Sequence, residues 1–227
     1  MTLPEGITSR EIDGEKRLAT RGTAVYGEPV DGGWRAWDVR RSKLGAMLDA
    51  GMDTGLAGDD HVLYLGAASG TTASHVADFA RVVYAVEFAS RPMGDLIEVA
   101  ESRATLVPLL KNAHNPETYA HVVEGDLDAI VQDVATRGQA RVACANREFL
   151  AEDGRLLAAI KARSEDVTAD PESVFDAALD ELRGTYEVLD TRRLAHHDRP
   201  YQRGRATTAR WSAWWASRRV SRTSYVP

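Results

Sequence analysis

From residue 61 onward, apolar runs and amphipathic stretches take turns along the chain. "HVLYLG" is almost wholly apolar and reads as a buried strand, and "TTASHVADFA" after it has helical spacing. The alternation continues with "RVVYAVEF" (81–88) as a strand, "PMGDLIEVAESR" as a helix and "ATLVPLL" as a short strand. Next come "LDAIVQD" (127–133) as a strand, "QARVACANREFL" (139–150) as a helix and "GRLLAAIKA" (154–162) as a strand. "PESVFDAALDELR" (171–183) is a helix with proline in its first turn, and "YEVLDTRRL" begins another strand. Strand and helix alternating in this way predict an α/β fold, an open and mostly parallel sheet with helices on both faces. Residues 1–55 differ. Segments such as "RLATRGTAVYGEPVDGGWRAWDV" are short and punctuated by glycine, which predicts a small β-rich domain. "RSKLGAMLDAGM" (41–52) is helical, with Leu44, Met47 and Leu48 on one face. The expected division is therefore 1–55, 56–190 and a separate segment 191–227.

Composition narrows the function classes. The chain has 227 residues, enough for one sizeable core. Its single cysteine, Cys144, excludes an internal disulfide and a multi-cysteine metal site. No apolar run approaches the roughly 20 residues needed to span a bilayer, and the first residues have no apolar signal core. A protein of the cytoplasm, with no membrane partner, is expected. The net charge of −6 is unevenly placed: residues 191–227 hold nine arginines and one acid, so residues 1–190 carry −14. Only four lysines occur in the body, Lys16, Lys43, Lys111 and Lys161. An acidic, lysine-poor body resembles salt-adapted proteins and does not suit unaided gripping of RNA, which needs clustered cations. If nucleic acid is the substrate, a partner supplies much of the affinity.

The candidate chemistry starts at "VLYLGAASGTT" (62–72). Ligands of such sheets sit beyond the carboxyl ends of the strands. Gly66 and Gly70 let the backbone turn sharply there and approach a ligand, with Ala67 between them. Thr71 and Thr72 stand at the helix start, where N–H groups and hydroxyls are free for a polar group. The spacing is G-x-x-x-G, neither the G-x-G-x-x-G of dinucleotide binders nor a Walker loop with its lysine. Glu87 ends the next strand, 21 residues after Gly66, where a carboxylate accepts both hydroxyls of an adenosyl ribose. A plain strand–turn–helix with a capping threonine and a solvated glutamate fits the same residues. The pattern alone leaves a methyltransferase and an NAD-dependent oxidoreductase both open.

These stretches resemble the fibrillarin family of RNA 2′-O-methyltransferases, in particular its archaeal members. The likeness rests on "VLYLGAASGTTASHVADF", "VVYAVEF", "DLIEVAESR", the "DVA" of 133–135, "AIKARSEDVTADP" and "WRAWDVRRSKLGAML", in the family's order and spacing from about residue 5 to 190. The resemblance implies a Rossmann-like class I methyltransferase sheet and S-adenosyl-L-methionine as cofactor. It implies cofactor contacts from Thr71, Thr72, Glu87, Phe88 and the segment Asp133, Val134, Ala135 and Thr136. Asn112 and Ala113 match a family Asp-Ala pair. The asparagine keeps a carbonyl for the adenine amino group and loses the charge. Thr136, Arg137 and Gly138 depart from the family's Gln-Pro-Asn or Gln-Pro-Asp. Lys43, Asp133 and Lys161 match three places of a catalytic tetrad. A lysine at a strand end beside a second cation has a lowered pKa and is suited to orient a hydroxyl or take its proton. The resemblance also implies guided methylation of rRNA and tRNA within a box C/D ribonucleoprotein, with guide RNA, a Nop-family scaffold and a kink-turn-binding protein as partners. A non-catalytic or weakened subunit of the same particle is the alternative.

The tail departs from the family. Residues 195–227 crowd three tryptophans with most of the nine arginines and show no alternating strand, where the family has an Asp-His pair and an apolar last strand. "ATTARWSAWWA" (206–216), written in degenerate codons and read from the third base of Ala206, permits Asp-His-Gly-Ala-Val-Val-Gly-Val-Val. Two of its four valines are forced. A frameshift upstream of Ala206 is therefore expected. In frame, only His197 beside Asp198 stands in for the family's histidine.

Overall fold

The structure, a computed structural model, describes residues 3–194 and 204–211. A small antiparallel sheet comes first: β1 (Ile7–Ile12), β2 (Glu15–Arg21), β3 (Val30–Asp31) and β4 (Trp34–Trp37), in the order β1-β2-β4-β3. Helix α1 (Lys43–Asp49) follows, started by Ser42, whose hydroxyl accepts the Gly45 N–H. Leu44, Met47 and Leu48 are all buried on its inner side, as their spacing predicts.

The second sheet contains β5 (His61–Leu65), β6 (Val82–Glu87), β7 (Leu106–Leu110), β8 (Leu127–Gln132), β9 (Leu150–Lys161), β10 (Tyr186–Arg193) and β11 (Gly204–Trp211). Their order is β10-β11-β9-β8-β5-β6-β7, and only β11 runs against its neighbours. Helices α2 (Thr71–Ala77), α3 (Ser90–Glu101), α4 (Gln139–Ala145), α5 (Ala162–Glu165) and α6 (Pro171–Arg183) complete the α/β layers. Because strand side chains alternate, Val62 and Tyr64 enter the core on one face while Leu63 and Leu65 enter the core on the other. Both faces are covered, which is why these strands are apolar throughout.

Two expectations need correction. The segment after residue 190 does contain a strand: β11 fills the slot between β9 and β10, pairing Gly204 with Lys161 and Tyr186 with Trp211. Its threonines hid it from the apolar pattern, but an empty slot would leave two rows of backbone donors and acceptors unpaired. Thr207, Thr208 and Ala209 are fully buried there, and the Thr208 hydroxyl has no partner among the described residues. The helix expected over 139–150 stops at Ala145. The buried Asn146 side chain donates to the carbonyls of Val142 and Ala113, and Leu150 already belongs to β9.

A buried polar cluster joins the two sheets. Arg35 of β4 donates to Glu28 Oε1 (2.6 Å), to Asp78 Oδ2 at the end of α2 (2.7 Å) and to Ser74 Oγ within α2 (2.9 Å). Thr20 Oγ1 donates to the same Asp78 oxygen (2.6 Å), and Arg103 approaches the other one (3.2 Å). His75 stacks on Trp37 with ring centroids 4.6 Å apart and meets Thr20 and Tyr26 with its two nitrogens. Burial, with Arg35 and Arg103 nearby, holds this imidazole neutral by driving its pKa well below the usual value.

Candidate active site

The parallel strands deliver their last residues to one edge of the sheet. β5 leads to Gly66, β6 ends in Glu87, β7 leads to Asn112, β8 to Asp133, and β9 ends in Lys161. The turn after β5 requires glycine twice. Gly66 has φ +83°, and a Cβ there would lie 2.9 Å from the Asp133 carbonyl oxygen and 3.0 Å from Val134 Cα. Gly70, φ +82°, precedes α2 and has Leu96 Cδ1 at 2.8 Å from the same construction. The loop thus hugs the Asp133 segment on one side and α3 on the other, and only hydrogen fits.

Glu87 is 7% exposed, and both oxygens are oriented by backbone: Oε2 accepts the Ala68 N–H (3.0 Å) and Oε1 the Ala89 N–H (2.8 Å). Each oxygen keeps a second lone pair for an incoming diol. Phe88 beside it is 72% exposed, an apolar plate at the rim. Thr71 is half-buried, and Thr72 is buried. Asn112 is turned into its own loop, its Oδ1 accepting the His114 N–H (3.0 Å). One lone pair of that oxygen therefore remains for an amino group. Ala67, Ala113 and Val134 are buried, Ala135 is exposed, and Thr136 Oγ1 meets His114 Nε2 at 3.3 Å.

Lys43, Asp133 and Lys161, 90 and 28 residues apart from Asp133 in the chain, are brought into one ion-paired group. The Lys43 ammonium lies 3.1 Å from both Asp133 oxygens. Lys161 Nζ lies 2.7 Å from Oδ1 and donates to the Asp133 carbonyl at 2.8 Å. Oδ1 is buried between the two ammonium groups, at 2.7 Å from Lys161 and 3.1 Å from Lys43. Burial lowers the Lys161 pKa; Asp133 opposes that shift and Lys43 adds to it. The side chains of Lys43 and Lys161 are both 20% exposed, so the group is in partial contact with solvent.

A cradle too tight for a Cβ, a doubly oriented carboxylate and an exposed aromatic plate fit an adenosyl ligand with a polar amino-acid end. The in-frame histidine, His197, and its neighbour Asp198 lie outside the described residues. Sequence reasoning passed over Gln132, Gln139 and Glu165, which surround the lysine-aspartate group. Glu165 Oε1 and Oε2 accept the N–H groups of Gln139 and Gly138 (2.6 and 2.8 Å), closing the start of α4. The only available signal was a pair of polar residues amid apolar strand and helix positions.

The profile of the fibrillarin family, described simply as "Fibrillarin", matches residues 5–208. The fibrillarin-like rRNA/tRNA 2′-O-methyltransferase of Halorubrum lacusprofundi is 69% identical over 192 residues, covering 85% of this chain and 91% of that protein. Among solved structures, the fibrillarin of a fibrillarin/Nop5p complex superposes with a TM-score of 0.83 at 37% identity, over 93% of this chain and 100% of the other. Aeropyrum pernix fibrillarin, crystallised with natively bound S-adenosyl-L-methionine, does so with a TM-score of 0.75 at 36% identity, over 92% and 100% of the two chains. A match over residues 5–208, together with identity and superposition over nearly the whole chain, shows that the chain belongs to the fibrillarin family.

Proposed function

We propose that this chain transfers a methyl group from S-adenosyl-L-methionine to ribose 2′-hydroxyls of rRNA and tRNA, at nucleotides chosen by a box C/D guide RNA. In this reading it works in a ribonucleoprotein with a Nop-family scaffold and a kink-turn-binding protein. The observation that carries the reading is Asp133 held between the ammonium groups of Lys43 and Lys161 at the strand edge that also presents Glu87.

When bound, the cofactor supplies an activated methyl group, which moves to the ribose O2′ as the carbon–sulfur electron pair stays on sulfur. The chain's own residues bind and orient. Glu87 accepts the cofactor's ribose hydroxyls and Phe88 covers its base. Thr71, Thr72 and the segment Asp133 to Thr136 line the methionine end. Lys161, in its neutral form, takes the 2′-hydroxyl proton at Nζ. Burial and the charge of Lys43 lower the Lys161 pKa and so favour that form, against the pull of Asp133. Asp133 holds Lys161 at the right place, and Lys43 pairs with the same carboxylate. No base-reading module is required, because the guide selects the nucleotide. The acidic body, −14 over residues 1–190, accords with RNA affinity supplied by partners.

The test has two stages. Titration with S-adenosylhomocysteine is expected to show binding, with none for NAD. Methyl transfer to a guide-matched RNA in the reconstituted particle is then expected, and its absence in a particle that assembles would favour the second reading, a weakened assembly subunit. One observation favours that second reading, the buried Thr208 hydroxyl, without a partner among the described residues, in a strand that the family makes apolar. Resequencing the gene over codons 185–227 separates the two. A missing or added base upstream of codon 206 restores the Asp-His pair and a competent enzyme, whereas an unchanged frame leaves the chain weakened as written.

A further inference from the structure

We propose that Gln139 is a positioning residue for Lys161, its side-chain amide standing in for a missing sheet neighbour at the catalytic strand end. This inference rests on the role proposed above for Lys161. β8 pairs with β9 as far as Gln132 against Ala158, and then the chain turns away through Asp133. β9 runs three residues further, to Lys161. The N–H and C=O of one strand residue point to the same side, so beyond the end of β8 both groups of Lys161 lose their strand partners. Gln139 replaces them together: the Lys161 N–H donates to Gln139 Oε1 (2.9 Å), and Gln139 Nε2 donates to the Lys161 carbonyl (3.0 Å).

Gln139 is itself fixed at every polar group. Its N–H donates to Glu165 Oε1 (2.6 Å), and its carbonyl accepts Gln132 Nε2 (2.9 Å). It is fully buried. Gln132 immediately precedes Asp133, so one residue ties the backbone of Lys161 to the strand end that carries Asp133. The separation between the lysine and the carboxylate is thereby set by three hydrogen-bonded amides and not by the ion pair alone. The departure of Thr136, Arg137 and Gly138 from the family's loop leaves this tie intact, because Gly138, φ +72°, turns the chain into α4 just before Gln139.

The test uses the full chain and two variants. Gln139→Met keeps the length and apolar fill and removes both hydrogen bonds, and Gln139→Glu keeps the acceptor and removes the donor. The chain has four lysines, so ¹³C-labelled lysine gives four side-chain signals, and Lys161→Arg identifies the one that matters. In both variants the Lys161 signal is expected to titrate closer to an ordinary lysine. Transfer in the particle is expected to show kcat down by about tenfold to 100-fold, with KM for S-adenosyl-L-methionine within about twofold. A folded variant whose Lys161 titrates as in the unaltered chain overturns the proposal. In the unaltered chain, amide exchange at Lys161 is expected to be slow, and exchange at the rate of a free amide overturns it without any variant having to fold. If the unaltered particle transfers no methyl group, the functional reading fails while the lysine titration still decides the role of Gln139.

Discussion

Replacing Gly66 by alanine tests whether the first turn is shaped by the neighbouring strand end. The new Cβ would meet the Asp133 carbonyl carbon at 3.0 Å and its oxygen at 2.9 Å, with Val134 Cα at 3.0 Å. All three are backbone atoms anchored in the sheet, since the Asp133 N–H donates to Leu65 (2.9 Å) and that of Gly66 to Val86 (2.9 Å). The left-handed backbone costs a residue with a Cβ about 1–2 kcal/mol, and overpacking against fixed atoms adds about 1–3 kcal/mol. Together these give a destabilisation of about 2–5 kcal/mol, or a fall in Tm of about 4–20 °C at this chain length. The relief available is a shift of the Asp133 segment, which would loosen its contacts with Lys43 and Lys161. S-adenosylhomocysteine binding is therefore expected to weaken by about tenfold, as for a loss of roughly 1.4 kcal/mol. Thermal melting and calorimetric titration measure the two effects. Gly94→Ala is the control, since nothing lies within 4 Å of a Cβ there and it sits inside α3. It is expected to raise stability by up to about 1 kcal/mol. A Gly66→Ala protein that melts with the unaltered one and binds S-adenosylhomocysteine equally well would refute the reasoning.

Three other perturbations give separate readings. Lys161→Ala is expected to lower methyl transfer by about 100-fold or more while leaving S-adenosylhomocysteine binding nearly unchanged; normal transfer would remove Lys161 from the mechanism. Burial, aided by Asp128, pushes the Asp60 carboxyl up to about 6. A carboxyl whose folded pKa is raised takes up protons on folding, so stability falls as pH rises from about 4 to 6. Asp60→Asn retains an acceptor for the Ala57 N–H and is expected to raise Tm at pH 8 but not at pH 4, with melts across that range as the check. Thr208→Val removes a buried hydroxyl without a partner and is expected to stabilise by about 1 kcal/mol, or about 2–4 °C; a lower Tm would show that the hydroxyl is satisfied.

Most of the α/β architecture was legible because both sheet faces are covered and the strands are apolar in consequence, as in "HVLYLG" and "VVYAVE". The glycine turn was legible for a different reason, since a left-handed backbone leaves few residue choices. Boundaries around β9 were not. The strand was read as starting at Gly154, yet it starts at Leu150 and Gly154 lies inside it, beside the register shift opposite Leu127 and Ala129, where the Leu127 carbonyl would lie 2.8 Å from an added Cβ. β11 was missed because its burial comes from the slot between β9 and β10, a property of the assembled sheet rather than of eight residues. The same holds for Gln139. Its amide acts only where β8 has ended and β9 has not, and no local pattern encodes that mismatch. Asn112 was read as facing the ligand, whereas the fold engages one side of its carbonyl in the loop.

The cluster around Arg35 constrains the order in which the chain can become structured. Arg35 leaves the ribosome with Glu28 close by, but its second carboxylate, Asp78, follows 43 residues later, after β5 and all of α2 have been made. Until then the small sheet carries a guanidinium and Thr20 with no partner on α2, and Trp37 has no imidazole to stack on. A guanidinium paired with Glu28 alone still has donors without acceptors, each costing about 1–3 kcal/mol to bury, so the first forty residues reach their full packing only with the nascent helix that completes them. The two sheets thus mature together during synthesis, and calorimetry on the finished protein should record one cooperative transition rather than two.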